Sequence, residues 1–216
     1  MREEVTVRTF NCLVVGVGGQ GVVLASRLVA AACMARGMFV RTAETIGMSQ
    51  RGGSVASHVR AAETDADLPT SMIPLRGADV VLAFEPGEAL RALDRLAPGG
   101  SVVCSARPVV PSAAPGGARG GAGAPAGGAY DGRAQIDWLR AHVNEKRLAV
   151  VDPVALAGAG LSPKCANVLL LGAAAGLGAL PFDTDDLRAA IARLVKPAFV
   201  EMNGRALELG MELARA

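Results

Sequence analysis

The sequence predicts a doubly wound, Rossmann-like α/β fold with a mostly parallel sheet and a helical C-terminal third. Three observations support this prediction. A strand-like apolar run, a glycine-rich turn and an apolar helix-like segment follow one another within residues 10–36. Strand-like and helix-like segments then alternate as far as residue 151. Beyond residue 151 the pattern is helical throughout.

The first part of the chain has the pattern of a right-handed β-α-β unit followed by another strand. Residues 10–15 are strand-like, residues 20–36 form a helix that is apolar on most sides, and residues 38–42 restart as a strand. A polar, glycine-rich loop is expected at residues 44–54. Residues 55–60 alternate apolar with polar or small side chains, which predicts a half-exposed strand.

The rest of the chain continues the alternation and then becomes helical. Strands are predicted at 79–84, 101–104 and 148–151, and helices at 86–96, 134–146, 163–177, 185–194 and 198–214. Of the 27 residues at 106–132, 21 are Gly, Ala, Pro or Ser, too few large side chains to offset the entropy of ordering. We therefore expect one domain over residues 1–216 with a flexible surface insertion at about 106–132.

Composition excludes several classes of protein. Apolar residues make up 51% of the 216 residues, so the chain is not disordered. The 22 Lys and Arg against 20 Asp and Glu leave a net charge of +2, which gives no reason to expect nucleic acid or a membrane surface as partner. The charged amino terminus lacks the apolar core of a signal peptide, and the uncharged stretch 165–182 favours a buried helix, so we expect a cytoplasmic protein.

The cysteines and histidines do not have the spacing of a metal site. Cys12, Cys33, Cys104 and Cys165 are scattered, whereas zinc and iron–sulfur sites need thiolates that converge on one metal. We interpret them as buried small hydrophobes in a reducing compartment. The two histidines lie far apart in sequence. His58, on the alternating strand, is interpreted as a half-buried structural residue, with proton transfer as the alternative.

Three glycines after the first strand have the spacing of a dinucleotide-binding turn. Gly16 permits a tight turn, Gly18 lets a phosphate approach the backbone, and Gly21 lets helix and strand pack closely. The acid that would bind a ribose should end the second strand, but residues 41–42 are Arg and Thr, and Glu44 in the following loop is a poor substitute. Phosphate binding and close packing alone both remain open.

Two loops resemble a known family. They are Gly16-Val-Gly-Gly-Gln-Gly21 and residues 45–60, Thr-Ile-Gly-Met-Ser-Gln-Arg-Gly-Gly-Ser-Val-Ala-Ser-His-Val-Arg; residues 83–90, 167–173 and 203–210 agree with them. Together they resemble the gamma-type domain of the 2-oxoacid:ferredoxin oxidoreductase superfamily. Within that superfamily the chain is most similar to the small, beta subunit of indolepyruvate ferredoxin oxidoreductases. The resemblance covers nearly the whole chain except the insertion.

The resemblance implies a reaction in which a 2-oxoacid such as indolepyruvate, coenzyme A and oxidised ferredoxin give an acyl-CoA, CO2 and reduced ferredoxin. It also implies that thiamine diphosphate, Mg²⁺ and iron–sulfur clusters lie on a larger alpha subunit. The sequence has neither a Gly-Asp-Gly thiamine motif nor the cysteines for a cluster. We therefore expect no cofactor and no catalytic residue on this chain alone, ferredoxin to act through the complex, and no activity without the large subunit.

The candidate site consists of loop residues expected to face coenzyme A or the oxoacid at the C-terminal edge of the sheet. They are Gly16, Gly18, Gly19, Gln20, Gly21, Glu44, Ser49, Gln50, Arg51, Gly52, Gly53, Ser54 and Asn167. Backbone N–H groups at the start of a helix offer a site for an anion. Arg51 is expected to clamp a carboxylate or phosphate, with an ion pair to Glu44 as the alternative. Asn167 either caps its helix or meets the glycine loop.

Two other functions remain open on the sequence alone. One is an independent NAD(P)- or CoA-binding Rossmann-like protein, which the missing ribose-binding acid weakens. The other is a regulatory module that senses a nucleotide or coenzyme A. Both would bind their ligand without a large partner. The choice among indolepyruvate, phenylpyruvate and other oxoacids also stays open, because the substrate pocket would lie largely on the partner.

Overall fold

A mixed sheet of six strands forms the centre of the computed structural model, which describes residues 9–47, 53–109 and 130–215. The strands are β1 (Thr9–Val17), β2 (Phe39–Ile46), β3 (Ser54–Ala62), β4 (Ala78–Ala83), β5 (Leu96–Ser105) and β6 (Leu148–Val151), in the order β2-β3-β1-β4-β5-β6. Among the strands of the described residues, only β3 runs antiparallel to both of its neighbours. The sheet is therefore mostly parallel.

Helices cover both faces of the sheet. They are α1 (Val22–Ala35), α2 (Pro86–Arg91), α3 (Arg133–His142), α4 (Ala155–Gly158), α5 (Ala166–Gly176), α6 (Thr184–Leu194) and α7 (Pro197–Arg215). Alternate strand residues point to opposite faces. Thus Cys12 and Val14 of β1 join the core beneath α1, α5, α6 and α7, whereas Leu13 and Val15 join the core beneath α2 and α3. The predicted doubly wound α/β fold with a helical C-terminal third is confirmed.

Strand β3 lies inside the predicted β-α-β unit. Strands β1 and β2 run parallel, as that unit requires, but β3 lies between them and pairs with both. The predicted half-exposed character of β3 is wrong, since Val55 and residues 57–62 are buried. Flanking strands occupy both of its edges, and small residues such as Ser57 allow α1 to cover one face. Alternation of small and apolar residues therefore does not imply exposure here.

The loop between the second and third strands is shorter than predicted. Strand β2 continues to Ile46, so Glu44 belongs to that strand and pairs with Ser57 of β3. Since β2 is the edge strand, Glu44 is exposed and is separated from β1 by the whole width of β3. Adjacent strands are about 4.8 Å apart, which puts Glu44 about 10 Å from the end of β1 in the plane of the sheet.

Most remaining differences concern the ends of elements. The predicted helix 86–96 is shorter in the structure: α2 ends at Arg91, and a single 3₁₀ turn follows at Leu93–Arg95. Strand β5 begins at Leu96 and not at residue 101. The uncharged stretch 165–182 contains the buried helix α5, as predicted. No helix in the described ranges combines the length and the apolarity needed to cross a lipid bilayer.

Candidate functional site

A half-open cleft of about 770 Å³ lies at the C-terminal edge of the sheet, where β1, β4, β5 and β6 end. We call it the edge cleft. Open α/β sheets bind their ligands at this edge, because the helix N-termini and the connecting loops meet there. The residues that line it include Gln20, Gly21, Phe84, Arg107, Lys164 and Asn167. The turn after β1 and the first turn of α5 therefore face the same space.

Close packing explains two of the three fingerprint glycines. A Cβ on Gly16 would lie 2.8 Å from Gln20 Oε1 and 3.0 Å from the Cβ of Phe84. Gly21 has a φ of +83°, and a Cβ there would lie 2.6 Å from Asn167 Nδ2. Residues other than glycine rarely adopt such a φ, and the close contact with Asn167 leaves no space for a side chain. Both glycines thus bring the first turn of α1 against its neighbours.

Gly18 serves a different contact. Its N–H donates to the carbonyl of Gly53 at 3.0 Å, which joins the glycine loop to the residue before β3. The N–H of Gly47 in turn donates to the carbonyl of Ser54 at 2.8 Å. The structure therefore brings the two predicted loops together at one edge. The amide of Gly18 is already used by the protein, whereas Gly19 is exposed, with open space around its α-carbon.

Gln20 connects the ends of two parallel strands. Its Oε1 accepts from the N–H of Val17 at 2.7 Å, and its Nε2 donates to the carbonyl of Phe84 at 2.8 Å. The side chain lines the edge cleft, but both ends of its amide bind backbone groups of β1 and of the residue after β4. This arrangement sets the shape of the turn.

The polar side chain of Asn167 also lines the edge cleft. It is only 5% exposed and stands in the first turn of α5, where its Oδ1 accepts from the N–H of Val168 at 2.9 Å. Its Nδ2 faces Gly21 and donates to none of the described residues. Of the two predicted roles, Asn167 meets the glycine loop and offers an amide donor to whatever enters the cleft.

Two cations that the sequence analysis did not select also line the cleft. Arg107 follows β5, and Lys164 stands just before α5. The lining residues in the described ranges include no acidic side chain. With the N-terminus of α1 at the same place, the cleft favours an anion such as a phosphate or carboxylate. The sequence signal for Arg107 was a charged residue just after a predicted strand. It was not recognised because the neighbouring residues are rich in alanine and glycine.

The remaining selected residues fall into two groups. Gly53 and Ser54 lie at the start of β3 beside the glycine loop, whereas Glu44 lies in β2, away from it. Ser49, Gln50, Arg51 and Gly52 lie outside the described residues, and their roles remain predictions.

Two buried carboxylates beside the cleft were missed by sequence reasoning. Glu85 and Glu88, at the start of α2, are 4% and 5% exposed. Ser54 Oγ donates to Glu88 Oε2 at 2.6 Å, and the N–H of Glu88 donates to Glu85 Oε2 at 3.0 Å. The hydroxyl of Tyr130 donates to Glu85 Oε1. Burial, and then this hydrogen bond, raises the pKa of Tyr130.

His58 has a structural environment, and it is buried more deeply than predicted. It is 2% exposed, and its Nδ1 accepts from the N–H of Ile73 at 3.2 Å. Burial, followed by the nearby charge of Arg95, lowers the pKa of His58. The imidazole therefore stays neutral and holds the connection between β3 and β4.

The described residues do not fit an iron–sulfur cluster or a metal-bound diphosphate. None of them assembles three or more His, Cys, Asp or Glu side chains into a group that could hold a metal ion. The cysteines Cys12, Cys33, Cys104 and Cys165 are all buried and free. Burial raises the pKa of Cys104 to about 12, which keeps it a neutral thiol, whereas metal ligation needs the thiolate.

Fold and cleft together define a Rossmann-like α/β protein whose C-terminal sheet edge carries a cleft lined by Arg107 and Lys164. The sequence matches the model of the pyruvate ferredoxin/flavodoxin oxidoreductase family over residues 11–213. It is 34% identical over 212 residues to indolepyruvate oxidoreductase subunit IorB of Thermococcus kodakarensis, covering 97% of this chain and 98% of that one. The chain belongs to this family and is a subunit of a 2-oxoacid:ferredoxin oxidoreductase.

Further relatives agree with this assignment. The chain is 35% identical over 209 residues to the IorB subunit of Archaeoglobus fulgidus, covering 94% of each. It is similar in structure to the gamma subunit of a keto/oxoacid ferredoxin oxidoreductase from Geobacter sulfurreducens, with a TM-score of 0.62, 20% identity, and 95% and 98% of the two chains covered.

A longer enzyme contains the same fold as one part. The 2-oxoglutarate:ferredoxin oxidoreductase of Magnetococcus marinus, solved with 2-oxoglutarate, coenzyme A and succinyl-CoA bound, aligns with a TM-score of 0.65 and 21% identity. The alignment covers 96% of this chain and 31% of that one. These likenesses confirm the α/β fold.

Proposed function

We propose that this chain is the small, beta subunit of an enzyme that oxidatively decarboxylates indolepyruvate or related arylpyruvates. The overall reaction converts the oxoacid, coenzyme A and two oxidised ferredoxins into arylacetyl-CoA, CO2, one proton and two reduced ferredoxins. The large alpha subunit supplies thiamine diphosphate, Mg²⁺ and iron–sulfur clusters, and the small subunit is inactive without it. The names of the archaeal relatives support this choice of substrate.

The edge cleft is the observation that carries the proposal. It offers Arg107, Lys164 and the Asn167 amide to an anion, in a chain whose described residues provide no metal-binding group. Such a surface binds and orients a ligand, and the bond-breaking chemistry then belongs to the partner. In our proposal these groups hold the phosphate end of coenzyme A, or the oxoacid carboxylate, beside the partner's catalytic centre.

The alternative of an independent NAD(P)-binding protein has less support from the geometry. The acid that binds a ribose should end the second strand and stand beside β1, on the side away from β4. That position is taken by the antiparallel β3, which begins at this edge with Ser54, whereas Glu44 lies beyond it on β2. The glycine turn is therefore used without the acid that would select a nicotinamide dinucleotide.

Co-purification from the cells that make the protein tests the proposal. We expect the tagged chain to bring down a large subunit in stoichiometric amount, together with thiamine diphosphate and iron. This complex should reduce a viologen dye when indolepyruvate and coenzyme A are both present, and neither separated subunit should do so.

Three controls separate the parts of the proposal. Omitting coenzyme A should stop turnover, and pyruvate or 2-oxoglutarate should be poor substrates. A chain that purifies alone and binds NAD would contradict the subunit assignment. A complex that prefers pyruvate would retain that assignment and overturn the arylpyruvate substrate.

A further inference from the structure

The carboxylate of Glu88 is buried at the start of β3, where it binds Ser54 next to the glycine loop. The residue is 5% exposed, and its two oxygens accept from Ser54 Oγ at 2.6 Å and from the guanidinium of Arg91. The Arg91 side chain is itself 73% exposed. Burying a carboxylate is unfavourable unless hydrogen bonds compensate for the lost water. Both oxygens of Glu88 are compensated, one within α2 by Arg91 and the other across to β3 by Ser54.

Capping of α2 does not require the Glu88 carboxylate. The N-cap of this helix is Glu85, whose side chain accepts from the N–H of Glu88. The Glu88 side chain points instead across to β3, where Ser54 is the first residue of the strand. Its principal contact therefore connects two segments that are 34 residues apart in sequence.

The residue next to Ser54 contacts the glycine loop. Gly53 directly precedes Ser54, and its carbonyl accepts from the N–H of Gly18 at 3.0 Å. Holding the Ser54 side chain therefore also holds the carbonyl of Gly53 at a defined distance from the turn after β1. The Ser54 hydroxyl donates to a protein carboxylate at 2.6 Å, so its proton is not available to a ligand.

We infer that Glu88 is a positioning residue for the edge cleft, and that it acts by anchoring Ser54 and, through Gly53, the glycine loop. This inference rests on the proposed function, because it gives the anchor the task of shaping the site for coenzyme A or the oxoacid. It also changes the role expected for Ser54, from a donor to the ligand into a link between Glu88 and the loop.

A double-mutant cycle in the purified complex tests the inference. Ser54→Ala and Glu88→Ala each remove one partner of this hydrogen bond, and each should raise the KM for coenzyme A about 10-fold and leave kcat unchanged. The double variant should also show about a 10-fold increase, since both changes break one link, instead of the roughly 100-fold increase of two independent contacts. Ser54→Thr keeps the hydroxyl and should restore the KM.

Thr64→Ala is the matched control. Thr64 Oγ1 donates to Asp67 Oδ2 at 2.6 Å, the same hydrogen-bond type and length, just beyond the opposite end of β3. Its removal should leave the KM unchanged. A roughly 100-fold increase of the KM in the double variant would show that Ser54 and Glu88 act independently and would overturn the inference. An unchanged KM in both Ser54→Ala and Glu88→Ala would also overturn it.

Hydrogen exchange keeps this test separate from the proposed function. In the same complex, the peptide that carries the Gly18 amide should exchange faster by a similar factor in Ser54→Ala and Glu88→Ala, and at the wild-type rate in Thr64→Ala. Unchanged exchange in the first two variants would overturn the positioning role whatever the substrate is. Failure of the wild-type complex to oxidise arylpyruvates would instead contradict the proposed function.

Discussion

Several polar side chains at the sheet edge already bind protein groups. Gln20 uses both ends of its amide on the backbone, and Ser54 donates to Glu88. Among the described residues that line the cleft, the Nδ2 of Asn167 and the side chains of Arg107 and Lys164 are available to a ligand. A sequence pattern identifies polar residues near a glycine turn, but only the contacts show which of them are engaged. The chemistry of the site is therefore more cationic than the loop sequences predict.

Acid should destabilise the fold through His58. Burial and Arg95 lower the pKa of this histidine, so the unfolded chain takes up a proton before the folded chain does. The stabilisation is complete above the ordinary histidine value of about 6.5 and is lost as the pH falls below it. Protonation of Nδ1 also breaks its bond with Ile73. Denaturant midpoints of the wild type measured between about pH 8 and 5 should show this decline.

Two substitutions identify the histidine responsible. His58→Asn places an uncharged acceptor near the Nδ1 position and should reduce the decline below about pH 6.5. His142→Asn changes an exposed ring that stacks on Trp138, and it should keep the wild-type pH profile. Identical profiles for wild type and His58→Asn would contradict the role given to His58.

Among the secondary-structure elements, α5 and α7 pack most closely. A Cβ on Gly210 of α7 would lie 1.9 Å from the carbonyl oxygen of Leu169, and one on Gly172 of α5 would lie 2.1 Å from that of Leu207. The two helix backbones therefore touch at paired glycines. This contact holds α5 in place, and with it Asn167 in its first turn, so helix packing on one face of the sheet supports the edge cleft.

Gly210→Ala should destabilise the protein by about 3 kcal/mol, because the added methyl group forces the helices apart. For a domain of this size, that loss lowers Tm by about 6–12 °C. Gly204→Ala on the same helix is the matched control, since a Cβ there meets nothing within 4 Å. It should leave the stability unchanged or raise it by up to about 1 kcal/mol. Equal Tm values for the two variants in thermal unfolding would contradict the close-packing interpretation.

On the scale of the whole molecule, the edge cleft is assembled from parts that are distant in sequence. It takes Gly21 from the turn after β1, Phe84 from the end of β4, Arg107 from the end of β5 and Asn167 from α5. Parallel strands deliver their C-terminal ends to one edge, so each contributes one side chain or backbone group. Two basic side chains, Arg107 and Lys164, therefore line one cleft, although the net charge of the chain is only +2.

Arg107→Ala and Lys164→Ala should each raise the KM for coenzyme A about 10-fold in the complex, with kcat unchanged. A charge-assisted hydrogen bond to a phosphate or carboxylate accounts for an effect of this size. Lys196→Ala removes an equally exposed lysine between α6 and α7, outside the cleft, and should have no effect. Steady-state kinetics at fixed ionic strength measure all three variants, and equal KM values would remove the two cations from the proposed site.

Much of the fold was predictable from local patterns. Strands β1, β4 and β6 and helices α1, α6 and α7 occur within a few residues of their predicted positions, because apolar runs and helix periodicity report burial directly. Strand order was not predictable in this way. Nothing in the residues of β3 distinguishes a strand inserted between β1 and β2 from one at the edge, and pairing depends on where the remaining chain leaves space.

The amino-acid sequence alone determined the α/β class, the glycine turn and the resemblance to the family, because these depend on residue types at fixed local spacing. Only the tertiary structure decided that Arg107 and Lys164 face the same cleft as Asn167, and that Glu88 holds Ser54. These relations join segments tens of residues apart. They form only when the sheet brings its strand ends together, so a local sequence pattern cannot show which of these residues lie close in space.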